Sequence, residues 1–113
     1  MLLSGYTLQW IEPIKTYYYN VVGLTLTNKQ VIDLCLKRAS TTELPKVDIK
    51  IRTLKLFNIN SDASRAVTLS AENKKNLSIA RSKLKLDGIP DTLLMALIIQ
   101  DAGKRYMELN RIS

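Results

Sequence analysis

The side chains of this chain that are best suited to chemistry are cations repeated along one segment of its second half. Residues 71–86 contain neither proline nor glycine and are rich in lysine, alanine and leucine, which predicts a helix. Glu72 is the only acidic residue of this segment. Its basic residues are Lys74, Lys75, Arg81, Lys83 and Lys85. A helix of this charge can bind phosphate groups, or its cations can form an ordinary solvated face, and both interpretations stay open.

The residues just before this helix predict a short strand with an outward-facing row of side chains. Residues 65–69 alternate between apolar and small or polar side chains, which is the spacing of a half-buried strand. Val67 and Leu69 form the inward face. The outward face consists of Ser64, Ala66 and Thr68. Ser70 is a favourable N-cap residue, so the strand should lead directly into the basic helix.

A second helix is predicted from about residue 90 to residue 109. Asp87 and Gly88 supply a left-handed stop for the basic helix, and Pro90 is tolerated in a first helical turn. Residues 93–99 are apolar all round, so this helix needs packing partners on several sides. One strand and two helices bury too little apolar surface to supply those partners. We therefore expect an obligate homodimer, in which a second copy completes the core.

Taken in this order, residues 64–110 resemble the ribbon-helix-helix family of DNA-binding proteins, which includes the Arc, MetJ and CopG types. The resemblance covers less than half of the 113 residues. It is carried by two inward apolar residues of the strand, by apolar or small residues of the first helix, and by the residues that open the second helix. These residues are Val67, Leu69, Leu77, Ala80, Leu84, Gly88, Ile89 and Pro90.

The resemblance implies an α+β fold, in which one strand from each protomer pairs into an antiparallel ribbon that enters the DNA major groove. It implies that the base edges are faced by Ser64, Ala66 and Thr68. The phosphates would be contacted by Arg65, Lys74, Lys75 and Thr92. The dimer core would consist of Val67, Leu69, Leu77, Leu84, Leu94, Leu97 and Ile98. The protein would then be a homodimeric, sequence-specific DNA-binding protein, namely a transcriptional repressor, an antitoxin, or a plasmid or phage accessory regulator.

The side chains assigned to the base edges predict weak direct readout. None of them offers the two hydrogen bonds that arginine or glutamine makes to a base, so phosphate contacts should supply much of the affinity. Asp91, in the first turn of the second helix, suits the helix dipole but repels phosphate.

Residues 1–60 are predicted to form an N-terminal extension of strand, helix and strand, and residues 61–113 the unit that binds DNA and dimerises. The aromatic and β-branched content of residues 1–26 predicts one or two strands. Thr27 and Gln30 form a capping-box pattern, so a helix should run from about 28 to 39. Residues 47–52 alternate between apolar and charged side chains, which predicts a further strand. The extension is a candidate contact surface for a partner protein or an effector.

The composition argues against an enzyme. The chain contains no histidine, so the commonest general base and metal ligand is absent, and we expect no catalytic residues, no cofactor and no metal site. Asp48 and Lys50, with Glu43 upstream, faintly resemble the Asp-x-Lys element of restriction-type nucleases. They are more simply the solvated face of the predicted strand.

Charge and cysteine content bear on partners and compartment. The formal net charge of +7 makes nucleic acid a reasonable partner for one compact domain of this length. The single cysteine, Cys35, cannot form an internal disulfide and is most simply a small core residue, which fits a reducing compartment. The sequence shows neither a signal peptide nor an apolar run long enough to span a bilayer, so we expect a cytoplasmic protein without a membrane partner.

An alternative from another functional class is a small α+β protein-interaction module, such as an adaptor or an inhibitor, with no nucleic-acid role. Its partner surface would be the aromatic N-terminal region, which includes Tyr17, Tyr18 and Tyr19. The basic helix would then be incidental. Binding to duplex DNA at low salt separates the two hypotheses.

Overall fold

A computed structural model of the chain describes residues 2–3, 5–41, 65–84 and 88–112. In chain order the elements are β1 (Leu2–Leu3), α1 (Gly5–Gln9), α2 (Ile11–Tyr17), a π-helical turn (Tyr18–Val22), α3 (Asn28–Thr41), β2 (Arg65–Ala66), α4 (Ala71–Leu84) and α5 (Asp91–Ile112). The strand predicted over residues 47–52 lies outside these ranges, and so do Glu43, Asp48 and Lys50.

The predicted α+β fold is wrong, because the described residues are predominantly helical. Within them, β-structure is limited to one antiparallel pair of two-residue strands, in which Leu2 pairs with Ala66 and Leu3 pairs with Arg65. The strand predicted over residues 65–69 is thus shorter, and its partner belongs to the same chain instead of a second protomer. The physical reason is Leu3, whose side chain is fully buried in the core and holds β1 beside β2.

The strands predicted within residues 1–26 are also wrong, apart from the two residues of β1. Residues 5–9 and 11–22 are helical, because their apolar side chains recur at helical spacing. Ile11 and Ile14 are buried, and Leu8 and Tyr18 pack against the same core. This spacing outweighs the strand preference of the aromatic and β-branched residues.

The helix predicted from residue 28 is confirmed and ends two residues later than expected, at Thr41. Its capping box is formed as predicted. The Thr27 amide donates to Gln30 Oε1 over 2.9 Å, and the Gln30 amide donates to Thr27 Oγ1 over 3.2 Å. Two amide groups that the helix itself leaves without partners are therefore satisfied.

The two helices predicted in the second half are confirmed. The Asn73 amide donates to Ser70 Oγ over 3.1 Å, which makes Ser70 the N-cap of α4. Helix α5 begins at Asp91 and continues to Ile112, three residues beyond the predicted end. The left-handed stop expected at Gly88 is wrong, because among the described glycines only Gly23 has a positive φ, of 79°.

The elements of residues 2–41 pack against those of residues 65–112, the two halves of the described chain. Each half supplies one short strand followed by helices, and the two strands pair antiparallel. Helix α2 of the first half packs against α5 of the second, while α3 packs against both α4 and α5. Gly103 of α5 lies against Trp10, where an added Cβ would be 2.5 Å from the Trp10 carbonyl oxygen. The core is therefore built between the halves.

This packing covers the apolar helix within one chain. Every residue from 93 to 100 is buried, and α2 and α3 supply the cover that we expected from a second copy. The homodimer itself stays a prediction. Five residues predicted for a dimer core are buried in this intrachain core, namely Leu77, Leu84, Leu94, Leu97 and Ile98. Among the described residues, no helix combines the length and hydropathy required to cross a membrane.

Candidate nucleic-acid interface

Residues 66–70 form an exposed ridge between β2 and the start of α4. Ala66, Thr68 and Ser70 are exposed along it. Val67 and Leu69 alternate with them, are half-buried and pack against the core. The apolar residues therefore fix the ridge from below and leave a row of small side chains facing outward.

A groove of about 470 Å³ separates the ridge from α4. Thr68 and Ser78 place hydroxyl groups on its walls, and Lys74 contributes an exposed ammonium group. Lys74 forms no ion pair with any other side chain that the structure describes. The groove therefore combines hydrogen-bonding groups with a cation that is available to an anion from outside.

The far end of this first groove is electrically compensated. The Arg81 guanidinium donates to the Asp91 carboxylate and to the Ile89 carbonyl oxygen, and thereby ties the start of α5 to α4. The carboxylate that we expected to repel phosphate is thus paired with a cation. Among the described residues that line this groove, Lys74 is the cation that no carboxylate compensates.

A second groove, of about 410 Å³, also borders the ridge, and the rest of its lining comes from α1 and α3. Leu8 and Ile32 contribute to its apolar wall, and Asn28 and Lys29 from the first turn of α3 contribute its polar side. Lys29 is exposed and, like Lys74, forms no ion pair with a described side chain. Each of the two grooves beside the ridge therefore has an exposed lysine in its lining.

Lys29 is the residue that sequence reasoning missed. It belongs to the first half of the chain, which the sequence assigned to a separate extension. Its only local signal is its position in the first turn after the capping box. Its place beside the ridge follows from the packing of α3 against α4.

The structure brings some of the predicted DNA contacts together and separates others. Ala66 and Thr68 face outward on the ridge, and Lys74 lines the first groove. Lys75 is exposed on α4, and Thr92 is half-buried in the first turn of α5, but neither is among the described residues that line these two grooves. Ser64 and Lys85 lie outside the described residues, and for Arg65 only the backbone is described.

The single cysteine has no role at this interface. Cys35 is buried in α3, and burial raises the pKa of its thiol to about 12. The nearby Arg38 charge opposes that rise, while Asp101 adds to it. A thiol with this pKa is protonated at neutral pH and is a poor nucleophile, so Cys35 is the core residue that the sequence predicted.

Comparisons with known proteins add no relatives: no family model, no curated protein and no solved structure matches the chain. Within the described residues, no group of three or more histidine, cysteine, aspartate or glutamate side chains is arranged to hold a metal ion.

Proposed function

We propose that this chain binds double-stranded DNA through the ridge and its two flanking grooves. The observation that carries the proposal is the ridge of small outward side chains with one exposed lysine in each bordering groove, Lys29 and Lys74, neither of which forms an ion pair with a described side chain. The proposal rests on this geometry and does not require a strand from a second protomer.

A DNA duplex has a groove and a charge pattern to which the ridge and its lysines can be docked. The major groove is about 12 Å wide and admits a helix or a pair of strands. Small side chains such as Ala66 and Thr68 allow the ridge backbone to approach base edges. The phosphates that border the major groove on both sides would then meet Lys29 and Lys74, so the two lysines orient the chain on the duplex.

The same side chains set the expected selectivity. The Ala66 methyl group can contact a thymine methyl, and the Thr68 and Ser70 hydroxyl groups can each make a single hydrogen bond. None makes a bidentate contact. Sequence preference is therefore modest, and most of the affinity comes from phosphate contacts and depends on salt. Such binding is compatible with the regulatory roles that the resemblance implies, and we propose them with it. These roles are a repressor, an antitoxin, or an accessory protein of a plasmid or phage.

The test is fluorescence anisotropy with a labelled 30-base-pair duplex of mixed sequence in 50 mM salt. We expect a Kd of about 0.1–15 µM, because non-specific binding at physiological salt is about 1–100 µM and two phosphate contacts strengthen it about sevenfold when salt is lowered about threefold. The wild-type protein should also bind the duplex more weakly as salt rises. No binding at 100 µM protein in 50 mM salt would refute the proposal.

Two variants separate base contacts from phosphate contacts. Thr68→Ala should change the preference among duplexes of different sequence while the salt dependence stays the same, because only a base contact is removed. Lys74→Ala should weaken binding to all duplexes by a similar factor. If the two variants behave alike, the ridge does not face the bases.

A further inference from the structure

The two halves of the chain repeat one order of elements. Each half consists of a two-residue strand, a first helical segment and a second helix. In residues 2–41 these are β1, the segment from α1 to the π-helical turn, and α3. In residues 65–112 they are β2, α4 and α5. The halves can therefore be compared element by element.

The contacts between the halves stay the same when the two halves are exchanged. The strands pair with each other and run antiparallel. Helix α2 packs against α5, the equivalent of this pair is α4 against α3, and these two contacts are the most extensive among the described elements. The two second helices, α3 and α5, also touch each other. Two copies related by a two-fold axis make contacts of this kind, and here one chain supplies both sides.

The buried positions of the two halves coincide as well. In the first helical segments the equivalent buried residues are 66 positions apart, namely Thr7 and Asn73, Ile11 and Leu77, and Ile14 and Ala80. In the second helices the interval is 63, and the buried pairs are Val31 and Leu94, Ile32 and Met95, Cys35 and Ile98, Leu36 and Ile99, and Ala39 and Ala102. The first half has its extra residues between Ile14 and Asn28, where the π-helical turn lies. Equivalent helices therefore bury the same face.

The two grooves beside the ridge are equivalent features of the two halves. Lys74 of α4 and Asp91, the first residue of α5, line the first groove. Their equivalents by the same intervals are Leu8 of α1 and Asn28, the first residue of α3, and both line the second groove. Each groove thus lies between the ridge and the two helices of one half.

The equivalent grooves take their positive charge from different positions. Lys74 supplies the cation of the first groove, and its equivalent in the second groove, Leu8, is apolar. The second groove takes its cation from Lys29, whose equivalent in α5 is the uncharged Thr92. The charge of one half can therefore be removed without altering the other half.

From this internal two-fold arrangement we infer that a single chain occupies a DNA site alone and contacts it with both halves, one groove of each. Two-fold DNA-binding proteins commonly place one chain on each half of a site, because the duplex offers matching two-fold symmetry. Here both halves belong to one chain. The inference rests on the proposed function and adds to it the number of chains per site and the origin of each contact.

The first test asks whether both lysines act within the same chain. Two mixtures are compared, each with equal amounts of two full-length proteins. One mixture contains Lys29→Ala and Lys74→Ala, and the other contains wild type and the double variant. Both mixtures hold the same number of intact lysines and differ only in whether the two lysines belong to one chain.

The two mixtures should differ in their affinity for the 30-base-pair duplex. Wild type mixed with the double variant should bind about twofold more weakly than wild type, because half of its chains carry both lysines. The mixed single variants should bind about 15-fold more weakly in 50 mM salt, since counterion release favours one phosphate contact by about that factor relative to 1 M salt. Circular dichroism and thermal unfolding verify that each variant folds.

The second test is the stoichiometry on a short duplex. The described part of the chain is 39 Å in its longest dimension, close to one turn of duplex, which is about 34–36 Å. A duplex of 12 base pairs is therefore titrated with wild-type protein, and the masses of the complexes are measured by native mass spectrometry. We expect a complex of one chain with one duplex to form first.

Three results would overturn the inference. Equal affinities of the two mixtures would mean that the two lysines contact the site from different chains. A complex of two chains with one duplex that forms without a one-chain intermediate would identify a second copy as part of the site. Either result leaves DNA binding itself in place. If no duplex is bound, or if neither lysine replacement weakens binding, the proposed interface fails and the inference fails with it.

Discussion

The two lysines beside the ridge make the salt dependence of DNA binding a quantitative measurement of the proposed interface. Lys29 and Lys74 belong to different halves of the chain and line different grooves. If each neutralises one phosphate, replacing either with alanine removes one phosphate contact and leaves the other in place. The perturbations are therefore Lys29→Ala, Lys74→Ala and the double variant.

The magnitude follows from counterion release. Each phosphate neutralised on duplex DNA contributes about −0.9 to the slope of log K against log salt. Raising salt from 50 to 200 mM then weakens binding about 3.5-fold for each contact. Each single variant should reduce the salt-induced loss of affinity by about 3.5-fold relative to wild type, and the double variant by about 12-fold.

The assay is a Kd titration by anisotropy at four salt concentrations for each protein. Lys83→Ala is the matched control, because Lys83 is an exposed lysine of the same helix α4 that lines neither groove. Its slope should equal that of the wild type. If Lys83→Ala changes the slope as much as Lys74→Ala does, or if the double variant retains the wild-type slope, then the cations act as a diffuse field and the ridge is not the contact.

Three predictions concern the fold. Gly103→Ala forces a Cβ against the Trp10 backbone and should lower the free energy of unfolding by about 1–3 kcal/mol in a denaturant titration, whereas Gly88→Ala, which meets open space, should change it far less. Thr27→Ala removes a capping-box acceptor and should cost about 1 kcal/mol in the same titration. Burial raises the pKa of Cys35 from 9.0 in the unfolded chain to about 12 in the folded one. Between these two values the unfolded chain loses the thiol proton and the folded one keeps it. The free energy of unfolding therefore falls as pH rises from 9 toward 12, by at most about 1.4 kcal/mol per pH unit. Urea titrations of the wild type from pH 8 to 11 should show a steeper decline than those of Cys35→Ala, and equal slopes would contradict the burial of this thiol.

The helices of the second half and α3 could be predicted because each has a local start signal and a strong spacing. Ser70 and the Thr27–Gln30 capping box define where α4 and α3 begin, and the structure shows both caps formed. Alternation also placed Ala66 and Thr68 outward and Val67 inward, in agreement with the observed exposure. These features depend on neighbours in the sequence and are therefore readable from it.

The errors have a common origin in interactions between distant residues. The β-branched and aromatic content of residues 1–26 favours strands in isolation, but Ile11 and Ile14 are buried against the core only when the segment is helical. Residues 93–99 are apolar all round, and this correctly predicted that their helix has packing partners on several sides. It did not reveal that the cover lies in residues 2–41 of the same chain. Lys29 was missed for the same reason.

The packing of the two halves of the chain against each other has a consequence for how two copies can associate. Because the core is built between residues 2–41 and residues 65–112, the same packing can form between the first half of one molecule and the second half of another. Such an exchanged pair would bury the same side chains, Leu94 and Leu97 among them, without any new contact. Closure within one chain is intramolecular and exchange is bimolecular, so the balance between the two arrangements depends on protein concentration. Exchange is favoured at high protein concentration. The population of an exchanged pair would therefore depend on how concentrated the protein is.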